Sequence, residues 1–205
     1  MAHDSHLSET FDREELGVRL VNTVAWRLRK PEDRAASPEA MLIWLADAGL
    51  TDRRTIAQIM ARWKKAPREA RLFLKKAVQL REAIYGLFLA RIKSQKADPR
   101  AVVTLNSHLA AAWRNLGLAS SQARLKWRPT SPGVSAEALL KPIAWSAVGL
   151  LMGPRAQRLK QCQDERGCGW LFIDESRAQN RRWCSMGDCG NLAKSRRHYH
   201  RASTK

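Results

Sequence analysis

Over the first three quarters of the chain, apolar positions recur at helical spacing and carry helix start and stop signals. Ser37-Pro38-Glu39 supplies an N-cap, a first-turn proline and an acid at the positive end of the dipole. These predict a helix through Met41, Leu42, Trp44 and Leu45 to Gly49. Thr51 or Asp52 can cap the next helix, whose Ile56, Ile59, Met60 and Trp63 fall at i, i+3, i+4 and i+7. Pro67 opens the longest stretch, with Phe73, Ala77, Leu80, Ile84, Leu87, Phe88 and Ile92 as its buried stripe and Lys75, Lys76, Arg81 and Glu82 on its polar side. Asp98-Pro99 ends it and starts another through Val102, Leu105, Leu109 and Trp113 to a break at Gly117. Such stripes predict a packed helical core.

The period then shortens. Arg124-Leu125-Lys126-Trp127-Arg128 alternates as an edge strand or hairpin arm would, ending at Pro129 and Pro132. Ser135 caps an apolar helix through Leu139, Leu140, Ile143, Val148 and Leu151, which Pro142 is expected to bend. Gly153-Pro154 is the best boundary, dividing the chain into 1–153 and 154–205. The fold class is mainly α: an N-terminal helical domain with a short β-hairpin, then a small C-terminal unit. The run from Leu139 to Met152 contains Lys141 and Pro142 and falls short of the roughly 20 residues a bilayer requires. Met1 to Glu15 has no apolar secretion core, so a soluble, cytoplasmic protein with no membrane partner is expected.

In that unit lie all four cysteines, as Cys162-x5-Cys168 and Cys184-x4-Cys189. Two close pairs fifteen residues apart are what a tetrahedral thiolate site needs, each pair on one tight turn and the chain between folding back. Residues 169–174 read as one strand, 175–180 as a polar turn and 181–184 as the returning strand, with a helix starting at Cys189. This is a treble-clef-like zinc finger of hairpin and helix, and Zn2+ is its expected cofactor. Disulfides require an oxidising compartment, and iron–sulfur sites usually show tighter spacing. A catalytic thiol would need a base, for which only His198 and His200 are near, so no enzyme is expected. Trp170, Phe172 and Trp183 could stack on bases but suit the core of the hairpin better.

Charge points to the partner. The net charge is +18, from 37 Lys and Arg against 19 Asp and Glu, which draws the molecule to polyanions. The last 51 residues carry +7 and the first 154 carry +11, roughly double the density in the tail. Lys194, Arg197, Arg201 and Lys205 share one helix face, with Arg196 beside them and Arg181 and Arg182 on the strand. Arg181, Arg182, Lys194, Arg196, Arg197 and Arg201 are therefore the candidate nucleic-acid contacts, phosphates first and guanine edges if the helix enters a major groove.

Three blocks of the tail resemble the CGNR zinc finger: Cys168-Gly169-Trp170-Leu171-Phe172-Ile173-Asp174, Arg181-Arg182-Trp183-Cys184-Ser185-Met186, and Cys189-Gly190-Asn191-Leu192-Ala193-Lys194. In that family the finger follows a helical ABATE domain in proteins regarded as stress-induced transcription regulators. Leu20-Val21-Asn22-Thr23-Val24, residues 44–50, residues 80–85 and Leu105-Asn106 resemble that domain more loosely. The resemblance implies zinc on Cys162, Cys168, Cys184 and Cys189 and DNA binding through the finger. It also implies a small-molecule effector, for which Asn22 and Thr23 are candidate ligand contacts; a hydrogen-bonding role towards backbone carbonyls suits them equally. Leu192 stands where the family name has arginine, and Arg19 where relatives commonly carry an acid.

The leading expectation is a zinc-dependent, DNA-binding transcriptional regulator, with DNA favoured over RNA and a homodimer compatible with symmetric operators. An RNA- or ribosome-associated basic protein and a zinc-stapled protein-interaction module are the alternatives.

Overall fold

A computed structural model describes residues 16–113, 116–121, 124–129, 135–193 and 195, with the backbone alone at 111–113, 116–121 and 124–129. The predicted contacts Lys194, Arg196, Arg197 and Arg201 lie outside the described residues.

The helices form where their caps place them. In α2 (Pro38–Asp47) the Ser37 hydroxyl accepts from the Ala40 amide at 3.1 Å, and in α3 (Arg53–Lys65) the Asp52 carboxylate accepts from Thr55 at 2.7 Å. Each such cap is worth about 1 kcal/mol. A single residue, Ala66, separates α3 from α4 (Pro67–Ile92), and α5 (Pro99–Trp113) returns along it. Helix α4 is the spine of the fold. Its Phe73, Ala77, Leu80, Ile84 and Phe88 are fully buried and meet α1 (Leu16–Val21), α2 and α6 (Lys141–Met152).

Strands β1 (Val24–Ala25) and β2 (Glu32–Asp33) form a minimal antiparallel pair between α1 and α2. A hairpin of β3 (Leu116–Ser121) and β4 (Arg124–Pro129) follows α5, so the segment around Gly117 is a strand and not simply a break. Pro142 does not bend a helix in its middle. A 3-10 turn, Ala136–Leu140, uses the Ser135 cap, and α6 begins afresh with Pro142 in its first turn, where a missing amide hydrogen is tolerated.

The C-terminal unit holds β5 (Leu159–Gln161) and β6 (Leu171–Ile173), antiparallel with Leu159 opposite Ile173 and Gln161 opposite Leu171. The hairpin therefore pairs β6 with the chain before it. Residues 181–184 form no strand, and their link to the first knuckle is the Gln163 amide donating to the Arg182 carbonyl at 2.9 Å. The cause is the sharp end of β6. The fully buried Asp174 carboxylate accepts from the amides of Ser176 (3.1 Å) and Arg181 (2.8 Å), the Ser176 hydroxyl (2.5 Å) and Lys160 Nζ (2.7 Å). That turns the chain away from the sheet.

Leu159 and Leu171 belong to the same buried cluster as Phe73, Leu80 and Leu150. The C-terminal unit and the helices thus share one core. Among the described residues no helix is long and apolar enough to cross a membrane.

Candidate metal centre

Two turns present the four thiols. Cys162 directly follows β5 and its amide donates to the Trp170 carbonyl at 2.8 Å, which closes the strands around the first turn. Within that turn Asp164 accepts from the Arg166 amide at 3.1 Å, and the Gly167 amide donates to the Asp164 carbonyl at 2.9 Å. Gly167 (φ 90°) and Gly169 (φ 67°) flank Cys168 in the left-handed region. A Cβ at Gly167 would stand 2.7 Å from Arg29 Cβ, and one at Gly169 would stand 2.8 Å from Leu28 Cγ. The second turn, Met186–Gly190, has π-helical pitch and is capped by Ser185, whose carbonyl accepts from Gly190 at 2.9 Å. Residues 191–193 are helical, so Cys189 sits just before a helix start, as the sequence predicts.

The four Sγ atoms all lie within 4.8 Å of one another, with Cys168–Cys184 and Cys184–Cys189 at 3.8 Å. No disulfide fits such separations, which are nearly twice a sulfur–sulfur bond. A tetrahedron with metal–sulfur bonds of about 2.3 Å has edges of about 3.8 Å, so the thiols fit a four-coordinate thiolate ion. Cys162, Cys168 and Cys189 are buried and Cys184 is half-buried.

Electrostatics favour a cation there. Hydrogen bonds from Cys168 and Cys184 pull the Cys162 thiol down and make it the first to ionise. Hydrogen bonding to Cys162 and Cys168 holds the Cys184 thiol up, and burial, with a hydrogen bond to Asp164, raises Cys189. Four adjacent thiolates are stable only around a cation, whose binding must expel protons. Arg166 stands guard on one side. It donates to Asp164 (2.8 and 2.5 Å) and Asp188 (3.2 Å), lies 3.7 Å from Cys189 Sγ and 5.2 Å from the Trp26 ring centroid. Burial works against the Asp164 charge, yet the Arg166 hydrogen bonds win and hold that carboxyl at about 2.

Of the predicted nucleic-acid contacts, Arg181 and Arg182 are described. Arg181 turns inward: its Nη2 donates to the carbonyls of Cys184 (2.8 Å) and Trp183 (3.4 Å), and its guanidinium covers the Phe172 ring at 5.1 Å. Arg182 is exposed and donates to Gln163 Oε1 at 2.8 Å. Leu192 is exposed on the helix that follows. Phe172, Trp170 and Trp183 pack against the cysteines as the core of the finger. Arg19 reaches the Asp47 carbonyl at 3.3 Å.

Asn22 and Thr23 are both engaged within the protein. The Asn22 side-chain amide donates to the Leu171 carbonyl at 2.8 Å and accepts from the Leu171 backbone amide at 3.0 Å, occupying the free edge of β6 as one residue of a neighbouring strand would. The Thr23 hydroxyl donates to the Leu20 carbonyl at 2.8 Å and accepts from Arg81 at 3.0 Å. Arg81 is buried and forms a two-pronged pair with Asp33 (2.7 and 2.8 Å) and a bond to Glu82 (2.9 Å); Glu82 in turn holds Arg27.

Sequence pattern alone did not reveal the docking loop between β1 and β2. Trp26 packs against the cysteine cluster, the Leu28 amide donates to the Gly167 carbonyl at 3.2 Å, and just after β2 Arg34 lies 5.6 Å from the Trp170 ring centroid. The only signal for it in the sequence is the glycine pair around Cys168, which demands a close neighbour without naming it.

Family models match two adjoining stretches. Residues 14–154 match ABATE, described as "Putative stress-induced transcription regulator", and residues 158–202 match the CGNR zinc finger. No curated protein matches the chain.

Proposed function

The chain belongs to the ABATE family and carries a CGNR zinc finger at its C-terminal side, and from that premise we propose that it is a zinc-dependent, DNA-binding transcriptional regulator. The observation that carries the reading is the convergence of four thiols at tetrahedral spacing in a small unit with a strongly basic tail. Cys162, Cys168, Cys184 and Cys189 would hold the zinc, which supplies rigidity and no open coordination position, so an enzymatic role is not part of this reading. Arg166 and Arg181 brace the two turns. Arg182, Lys194, Arg196, Arg197 and Arg201 then supply the cations for phosphates and base edges.

The helical domain would act as the sensing part. Asn22 holds β6 directly, so an effector that competed for Asn22 or Thr23 would alter the finger without any intermediate element.

Selection from a genomic DNA library at physiological salt tests the proposal. Enrichment of a defined sequence, one zinc per chain by atomic emission, and loss of both in Cys184→Ser are expected. Absence of any enriched sequence, or retention on structured RNA in preference to duplex DNA, would sink it.

A further inference from the structure

We infer that the helical domain carries its own DNA-backbone surface, formed by the end of α3 and the start of α4, and that this surface and the finger contact one duplex. The inference adds a second interface to the function proposed above and rests on that reading for the choice of DNA.

Averaging the charge over the first 154 residues conceals where it lies. Between residues 52 and 76 there are nine Lys or Arg against two acids, a local density above that of the C-terminal tail. One of the acids, Glu69, pairs with Arg62, and the other, Asp52, caps α3. Lys64, Lys65, Arg68, Arg71 and Lys75 are all exposed and have no partner among the described residues.

They are also aligned. Arg68, Arg71 and Lys75 follow steps of three and four, one stripe on α4, and Lys64 and Lys65 extend it across the single-residue joint at Ala66. Five described cations of the finger are instead engaged within the protein, whereas Arg177 is exposed there. Arg155 and Arg158 pair with Glu175, Lys160 with Asp174, Arg166 with Asp164 and Asp188, and Arg181 with carbonyls. Cations without a protein partner are free to neutralise phosphates and release their counterions.

Geometry ties the stripe to the finger. Continued by steps of four and three, it passes Gln79 and reaches Glu82, which holds Arg27 at the edge of the docking loop. That loop sets exposed Arg29 against Gly167 of the finger, with exposed Lys30 next to it in the chain. The finger touches α4 itself where Gln161 donates to the Tyr85 hydroxyl at 3.1 Å. From Arg71 to Tyr85 the helix rises about 21 Å at 1.5 Å per residue. That is about six base pairs at the 3.4 Å spacing of phosphates along one strand. The cations on α4 span Arg68 to Lys75, about 10 Å of helix and about three phosphates of one strand, and the regularly charged backbone of duplex DNA is their complement.

The test is fluorescence anisotropy with the zinc-loaded full chain and a random-sequence 30-base-pair duplex, titrated from 50 to 200 mM KCl. The variant Lys64→Gln/Lys65→Gln/Arg68→Gln/Arg71→Gln/Lys75→Gln should flatten the plot of log K against log salt by up to about 4.5, at about 0.9 for each phosphate no longer neutralised. If it melts early by circular dichroism, the lysine-only variant Lys64→Gln/Lys65→Gln/Lys75→Gln takes its place, with a loss of up to about 2.7. A parallel variant, Lys194→Gln/Arg196→Gln/Arg197→Gln, reports on the finger. An unchanged slope in the α3–α4 variant while the finger variant loses binding overturns the inference and leaves the proposed function standing. Loss of slope in both variants supports the inference; loss in the α3–α4 variant alone overturns the shared duplex and removes the finger as reader. A wild-type chain that does not bind at 50 mM KCl overturns both.

Discussion

Replacing Asn22 by alanine removes the only side chain of the helical domain that hydrogen-bonds β6 among the described residues. Leu171 is 1% exposed, so its amide and carbonyl lose their partners in a place water does not readily reach. Two neutral hydrogen bonds are worth about 1 kcal/mol each net, and a buried group left unsatisfied raises the toll to about 1–3 kcal/mol. A loss of about 2–3 kcal/mol is expected for Asn22→Ala. For a chain of this size that lowers Tm by about 4–12 °C, at 2–4 °C per kcal/mol. Asn22→Asp is the informative comparison: it keeps an acceptor for the Leu171 amide but sets a charge against the Leu171 carbonyl, and should be no better than alanine. Differential scanning calorimetry gives the stability, and a chromogenic chelator gives the rate of metal release, which should rise in both variants. If Asn22→Ala melts within 1 °C of the parent at an unchanged release rate, the edge contact is not what holds the finger in place.

Two further outcomes follow from the shared core and the buried ion network. Stripping the metal with a strong chelator should lower the main melting transition as a whole, without a separate early transition for the finger, because Leu159 and Leu171 lie in the helical core; two resolved calorimetric peaks would contradict this. Asp33→Asn should destabilise by about 2 kcal/mol near pH 7, the scale of hydrogen bonds to a charged group. Burial opposes the Asp33 charge but the Arg81 hydrogen bonds prevail and lower its pKa, so the stabilisation is present above the unfolded value of about 3.9 and fades as pH falls below it. Urea denaturation of the two proteins should therefore show the gap narrowing as pH falls below about 4, and a constant gap would refute the assignment.

The helical frame was legible because its signals are local. Ser37, Asp52 and Ser135 cap the turns they were expected to cap, and the stripe from Phe73 to Phe88 is the buried face of α4. The metal cluster was legible because four cysteines in two close pairs leave few other arrangements. The hairpin partner was not. The alternation of residues 169–174 identifies a strand but is silent on its neighbour, and the deciding group, Asp174, looks in sequence like any polar residue at a strand end. Docking was invisible for the same reason, since Asn22 and Leu171 are separated by 149 residues. The cationic corner of α3 and α4 was in plain view but diluted by averaging over a long and otherwise moderate domain.

The packing of α1 has a consequence for the order in which the chain matures. Its residues rest on α6 and β6, and the Gly17 amide donates to the Ser146 hydroxyl at 3.3 Å. Helix α4 reaches α1 early, but α6 and β6 leave the ribosome more than a hundred residues later, so the burial of Leu16, Leu20 and Val21 is complete only late in synthesis. The β6 side of α1 is covered only once the zinc-finger segment has emerged, so the last part of the N-terminal packing forms together with the C-terminal unit.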